Sequence, residues 1–226
     1  MSDFLEKSKQ LLGDDKINSY FDKTILFVGI GGVGGTALEA LVRSGFNSFI
    51  LIDNDVVDIS NLNRQILFNS NDVGRLKVKC AKEHLLKINP NLKISFYNSK
   101  IGEMRLEDLN LCNIEFIVDA IDDVNGKLHL YEYAQKNNIP FISSLGMGNR
   151  IDPEKVTITT LNKTENDPLA RKIRYMARQN KLDIKKIPVV FSTEIPLIKS
   201  SKPASIITVP STAGLLIAKY VLTTIK

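Results

Sequence analysis

Between an apolar run at 24–29 and an amphipathic stretch at 33–44 lies Gly29-Ile30-Gly31-Gly32-Val33-Gly34. Small residues at a strand-to-helix turn let the backbone approach phosphate closely, and the first amides of the helix favour negative charge there. A tight turn without a ligand is the alternative. Asp53 argues against it, because it comes nineteen residues after Gly34 at the end of a second apolar run, placed to accept ribose hydroxyls. A nucleotide-binding βαβ unit is therefore expected at this end of the chain.

The remaining elements extend that unit. Further runs rich in Ile, Val and Phe occur at 93–98, 114–119 and 139–143, separated by helical periodicity at 77–88 and 125–137. This alternation predicts an α/β fold, a Rossmann-like doubly wound, mostly parallel sheet with helices on both faces. After about residue 150 the pattern changes to strands at 155–161, 187–194 and 204–209. A helix begins at Pro168 with Asp167 as its N-cap, and a closing helix spans 211–225. We divide the chain into a nucleotide-binding core with an N-terminal helical segment, residues 1–150, and a C-terminal strand and helix extension, 151–226, packed on the same domain.

Apolar residues make up 43% of the chain, yet no run of eighteen could span a bilayer, so a globular protein with no membrane attachment is expected. With Cys80 and Cys112 alone there is no disulfide framework, and a reducing cytoplasm is the expected location. Cys80 and His84 have a spacing that can hold a metal on a helix, but a buried thiol is the commoner outcome.

The residues after Asp53 decide which nucleotide is bound. A dinucleotide is held mainly by amides and the ribose carboxylate, whereas a triphosphate under attack needs cations aimed at its phosphates. Arg64 and Lys77 are those candidates, and Asn61 could orient a phosphate or a neighbouring side chain. "VDAIDD" then ends a strand at the carboxyl edge of the sheet, where ligands collect. Its Asp122 could hold Mg²⁺, or cap the next helix.

"GIGGVGG", "LIDNDVVDISNLNRQ", "VGRLKVKCA" and "VDAIDD", in this order, resemble the adenylating superfamily that activates ubiquitin, molybdopterin synthase and the thiamine sulfur carrier. The resemblance covers 24–140. It implies that Gly31, Gly32 and Gly34 line the phosphates, Asp53 takes the ribose, and Asn61, Arg64 and Lys77 stabilise charge on ATP. It further implies that Gln65 contacts the same region and Asp122 ligates Mg²⁺. With Gly29, Asp55 and Asp123 these form the candidate ATP site, and Arg64, Lys77 and Asp122 are its candidate catalytic residues.

Members that activate ubiquitin-like proteins usually carry four zinc cysteines, and many carry a catalytic cysteine; this chain has neither. Its second half, "SSLGMGNRIDPEKVTITTLNKTENDPLARKIRYMAR", "VVFSTEIPL" and "SIITVPSTAGLLIAKYVL", is similar to the tRNA threonylcarbamoyladenosine dehydratase branch. That branch implies ATP-dependent adenylation of the threonyl carboxylate on the modified adenosine at position 37, then closure by the neighbouring ureido group to the cyclic form. It implies a tRNA partner, a homodimer, and sulfur-transfer proteins as candidate partners. The charge pattern agrees independently. From Lys163 to Lys186 there are eight basic residues against three acidic ones, which is the whole net charge of +5. Arg171, Arg174, Arg178 and Lys181 recur at steps of three and four as one stripe, suited to a polyanion backbone, although an ordinary solvated face reads similarly. Three other functions stay open: adenylation of the C-terminal glycine of a ubiquitin-like sulfur carrier, NAD-dependent oxidoreduction, and non-catalytic nucleotide-dependent binding.

Overall fold

A computed structural model describes residues 4–103, 106, 113–198, 200 and 203–225. Cys112 lies outside the described residues. Two short helices, α1 (Glu6–Leu12) and α2 (Asp14–Ser19), precede β1 (Thr24–Val28), α3 (Gly32–Arg43) and β2 (Ser48–Ile52). Then come α4 (Lys77–Ile88), β3 (Lys93–Tyr97), β4 (Ile114–Asp119), α5 (Val124–Lys136) and β5 (Phe141–Ser144). The chain closes with β6 (Val156–Thr160), α6 (Pro168–Gln179), β7 (Pro188–Ser192) and α7 (Thr208–Thr224). The strands form one seven-stranded sheet in the order β3-β2-β1-β4-β5-β7-β6. All neighbours are parallel except β6, which runs antiparallel to β7 at the edge. The expected doubly wound α/β architecture is thus present, with β6 and β7 carrying the sheet into the second half of the sequence.

The central strands read as continuous apolar runs because both their faces are covered. Ile25, Phe27, Phe49, Leu51, Phe116 and Val118 join one core with residues of α3, α4 and α7. Their neighbours Leu26, Val28, Ile50, Ile52 and Ile117 join the other with residues of α5 and α6. The α7 helix lies close against α3. A Cβ placed on Gly214 would come within 2.6 Å of the Val33 carbonyl oxygen and 2.7 Å of Thr36 Cβ, so only glycine permits this approach.

One expected strand is absent. In the run 204–209, residues 204–206 have no regular structure and Thr208 already begins α7, with Pro210 in its first turn. A proline there loses nothing, because the first amides of a helix have no partner within it. The β-branched residues that suggested a strand include Ile206 and Ile207, which are 43% and 41% exposed and lack a sheet neighbour among the described residues.

Candidate active site

The strand order reverses between β1 and β4, and their carboxyl ends open there into a cleft, as in other doubly wound sheets. The cleft has a volume of about 660 Å³ and is lined by Gly29, Gly31, Gly32, Asp53, Asp55, Asn61, Arg64, Gln65, Lys77, Asp122 and Asp123, together with residues from later in the chain. Gly31 precedes α3, and no side chain caps that helix, so its first amides are available to an anion in the cleft. Gly34 is the exception among the expected glycines. It is not among the residues lining the cleft, and a Cβ there would fall 2.0 Å from the Gly29 carbonyl oxygen, so the close approach of the two backbones at this turn requires a glycine.

Asp53 ends the second strand as its position requires. Its Oδ2 accepts from the Ile30 amide at 2.9 Å and its Oδ1 from the Asp55 amide at 2.9 Å, which fixes the carboxylate at the mouth of the glycine loop. Burial pushes its pKa up, with the Lys77 charge and the two amide bonds opposing that rise. Lys77 is 5% exposed at the first position of α4, and its Nζ donates to Asp55 Oδ2 at 2.6 Å. The buried ammonium is thus paired with an exposed carboxylate.

After Asp53 the chain makes two short 3-10 turns, Ile59–Asn61 and Ser70–Asp72, before α4, and the first borders the cleft. Asp58 accepts from the Ser60 amide at 2.8 Å, and Asn61 Oδ1 accepts from the Asp58 amide at 3.1 Å. This reciprocal cap occupies the oxygen of Asn61 and leaves its Nδ2 without a partner among the described residues. Arg64 donates through Nη1 to the Ser60 carbonyl at 2.7 Å and to Asn63 Oδ1 at 2.8 Å. Its Nε and Nη2 have no hydrogen-bond partner among the described residues. Gln65 is 5% exposed; its Nε2 is the side-chain atom nearest Gly31, and its buried Oε1 has no hydrogen-bond partner among the described residues.

At the end of β4 the alternative role weighed for Asp122, capping the next helix, is taken by its neighbour. Asp122 is exposed and accepts no bond among the described residues, and the cap of α5 is instead Asp123, which accepts from the Gly126 amide at 2.7 Å. The Asp123 side chain also lies 4.0 Å from Lys100 Nζ, a cation in the cleft wall that no motif announced. Asp119 points away from the cleft and pairs with Lys127.

A second wall, which no motif announces, is built from Ser144 at the end of β5 and Leu145, Gly146, Met147 and Gly148 after it, with Leu169 of α6. The available signal was position, since β5 neighbours β4 and its carboxyl end must border the same crevice. On α6, Arg171 and Arg178 are exposed, and Lys181 is exposed just beyond the helix. Arg174 differs: its Nη1 donates to the Thr164 carbonyl at 2.9 Å and to the Thr164 hydroxyl, so this guanidinium belongs to the loop before α6 and leaves the stripe. Cys80 is 2% exposed in the core and His84 Nε2 lies 2.9 Å from Glu39 Oε2. Among the described residues no cluster of three or more His, Cys, Asp or Glu could hold a metal, and no helix is long and apolar enough to cross a membrane.

Comparison with known proteins agrees with this geometry. A tRNA threonylcarbamoyladenosine dehydratase of Bacillus subtilis is 32% identical, over 95% of this chain and 91% of that protein. The tRNA threonylcarbamoyladenosine dehydratase 2 of Saccharomyces cerevisiae is 38% identical over 88% of this chain, which spans 44% of that longer protein. The crystal structure of the E. coli tRNA N6-threonylcarbamoyladenosine dehydratase in complex with AMP superposes with a TM-score of 0.90 at 31% identity, covering 97% of this chain and 92% of that one. A structure of the same E. coli protein in complex with ATP matches equally well, with a TM-score of 0.90. The family model that matches residues 6–225 is that of the ThiF family, and this chain belongs to the ThiF family.

Proposed function

We propose that this protein is an ATP-dependent tRNA threonylcarbamoyladenosine dehydratase. One observation carries the reading: eleven residues expected from sequence to hold ATP line one cleft, in a fold that superposes on a dehydratase crystallised with ATP and with AMP. The ATP phosphates would lie against the glycine loop and the uncapped start of α3, with the ribose hydroxyls on Asp53. Arg64 would turn its open donors to the phosphates, and Lys77 would exchange Asp55 for a phosphate oxygen.

In the reaction, the threonyl carboxylate of the modified adenosine attacks the α-phosphorus and pyrophosphate leaves, giving a mixed anhydride. The ureido group then attacks the acyl carbon, AMP leaves with the bonding pair, and the ureido proton is released. Water is lost overall. The chief obstacle is the approach of two anions, and Arg64, Lys77 and the α3 amides offset it by holding positive charge where negative charge builds up. Each such donor contributes on the order of 3 kcal/mol in a partly dry site. Asp122 fits a magnesium ligand, since an open single carboxylate beside a triphosphate is the usual protein contribution to such a site. When bound, the ion would neutralise phosphate charge.

The same reading divides the chain into an ATP-binding part, residues 1–150, and an RNA-facing part, 151–226, in a cytoplasmic homodimer. Incubation with ATP and tRNA bearing threonylcarbamoyladenosine, with mass measurement of the nucleoside afterwards, should give loss of one water and one AMP per product. Lys77→Ala or Arg64→Ala should cut AMP formation by about 10²–10³-fold with an unchanged circular dichroism spectrum. An unaltered nucleoside mass with the unmodified enzyme would refute the reading.

A further inference from the structure

On the solvent face of α6, Arg171, Tyr175 and Arg178 stand at steps of four and three, which places them in one row. All three are exposed, and the Tyr175 ring is 65% exposed with no hydrogen bond or ring contact among the described residues. An aromatic ring standing between two guanidiniums on a helix offers a stacking face flanked by phosphate-binding charge. With a rise of about 1.5 Å per residue, the backbone positions of the two arginines lie roughly 6 Å and 4.5 Å along the axis from that of Tyr175. A duplex hides its base faces in the stack, so this combination suits unpaired nucleotides.

The row is also fixed relative to the cleft. Asp167 is 5% exposed, and its carboxylate is shared: Oδ1 accepts from the Ala170 amide at 3.0 Å, capping α6, and Oδ2 accepts from the Gly146 amide at 3.1 Å. Arg150, 4% exposed, fastens the same wall by donating to the carbonyls of Gly146, Gly148, Asn166 and Glu194. It makes no ion pair among the described residues. A buried guanidinium satisfied wholly by carbonyls ties these four backbone positions together, because releasing any one leaves a buried donor unpaired. The first turn of α6 thereby becomes part of the cleft wall, and Leu169 reaches the cleft itself.

We infer that the Arg171–Tyr175–Arg178 row is a binding track for single-stranded RNA, on which Tyr175 stacks an unpaired base beside the nucleotide being modified. The inference rests on the proposed function for the identity of the substrate, but the track is tested without turnover. The probes are a labelled RNA hairpin with an unpaired loop and a blunt RNA duplex, titrated without ATP over a range of salt. Tyr175→Ala should weaken hairpin binding about 5- to 150-fold, leave its salt slope unchanged and leave duplex binding unaltered. Tyr175→Phe should bind as the wild type does, and Arg171→Ala with Arg178→Ala should flatten the salt slope. Hairpin binding unaffected by Tyr175→Ala, or weakened equally with that of the duplex, would overturn the track. So would a wild-type protein that binds neither RNA, which would point to a protein partner for this face. The dehydration assay is read separately, so a failed track and a failed dehydratase reading produce different results.

Discussion

Asp53 is subject to two opposing demands. Burial disfavours its charge, yet the proposed hold on the ribose hydroxyls is strongest when it is charged. The raised pKa means that the folded state binds a proton more readily than the unfolded chain between the ordinary Asp value and the raised one. Stability of the free protein from this group therefore falls as pH rises through that window, and is regained on acidification. Nucleotide affinity should move the other way, weakening as Asp53 is protonated. Melting temperature and ATP affinity measured across the acid range, each as wild type minus Asp53→Asn, should show these opposite slopes. Parallel slopes would detach Asp53 from the nucleotide. Asp53 was legible in sequence because its spacing from the glycine loop carries a mechanism. Arg150 and Lys127 were not, since a lone Arg or Lys reads as a solvated charge until the fold shows it buried.

At the scale of elements, the β1-α3-β2 unit and the strands around it were readable because strands buried on both faces must be apolar throughout. The start of α7 was not, because Ile206, Ile207 and Thr208 have strand propensity and only the missing sheet neighbour decides against it. Yet α7 bears on the nucleotide site through its packing. Gly214 sits over the first turn of α3, whose residues Gly32 and Val33 line the cleft. Gly214→Ala would add a methyl where 2.6 Å separates the new Cβ from the Val33 oxygen, so the helices must part. Overpacking of this kind costs about 1–3 kcal/mol. Denaturant unfolding should report that loss, and ATP affinity should fall with it, because the displaced atoms belong to the turn proposed to hold the phosphates. Lost stability with unchanged ATP affinity would uncouple α7 from the site.

Over the whole molecule, the two halves of the sequence meet in one sheet, and the floor of the cleft crosses from β4 to β5. A polar group at full burial fastens these strand ends. Lys127 and Asp119 are both 0% exposed, with Nζ 2.9 Å from Asp119 Oδ2, 3.1 Å from Ser143 Oγ and 2.7 Å from the Ser144 carbonyl. All three ammonium protons are thus matched. Ser143 Oγ in turn donates to Asp119 Oδ2 at 2.6 Å and lies 2.7 Å from the Tyr131 hydroxyl, whose pKa burial and the Asp119 charge push well up, keeping it protonated. Directly beyond this network lie Ala120, Ile121 and Asp122 on one side and Leu145 and Gly146 on the other, all facing the cleft. Replacing only the lysine strands a buried carboxylate, so Lys127→Met should cost about 3–5 kcal/mol. At roughly 2–4 °C per kcal/mol for a chain of this length, the melting temperature should drop by about 6–20 °C. Adding Asp119→Asn removes the stranded charge and should restore much of that stability. Dehydration should not recover in parallel, because the neutral pair no longer supplies the ammonium that bridges Asp119 of β4 to Ser143 and Ser144 of β5. A double variant with full stability and full turnover would mean that the ion pair sets the fold alone and leaves the position of Asp122 and Gly146 to other contacts.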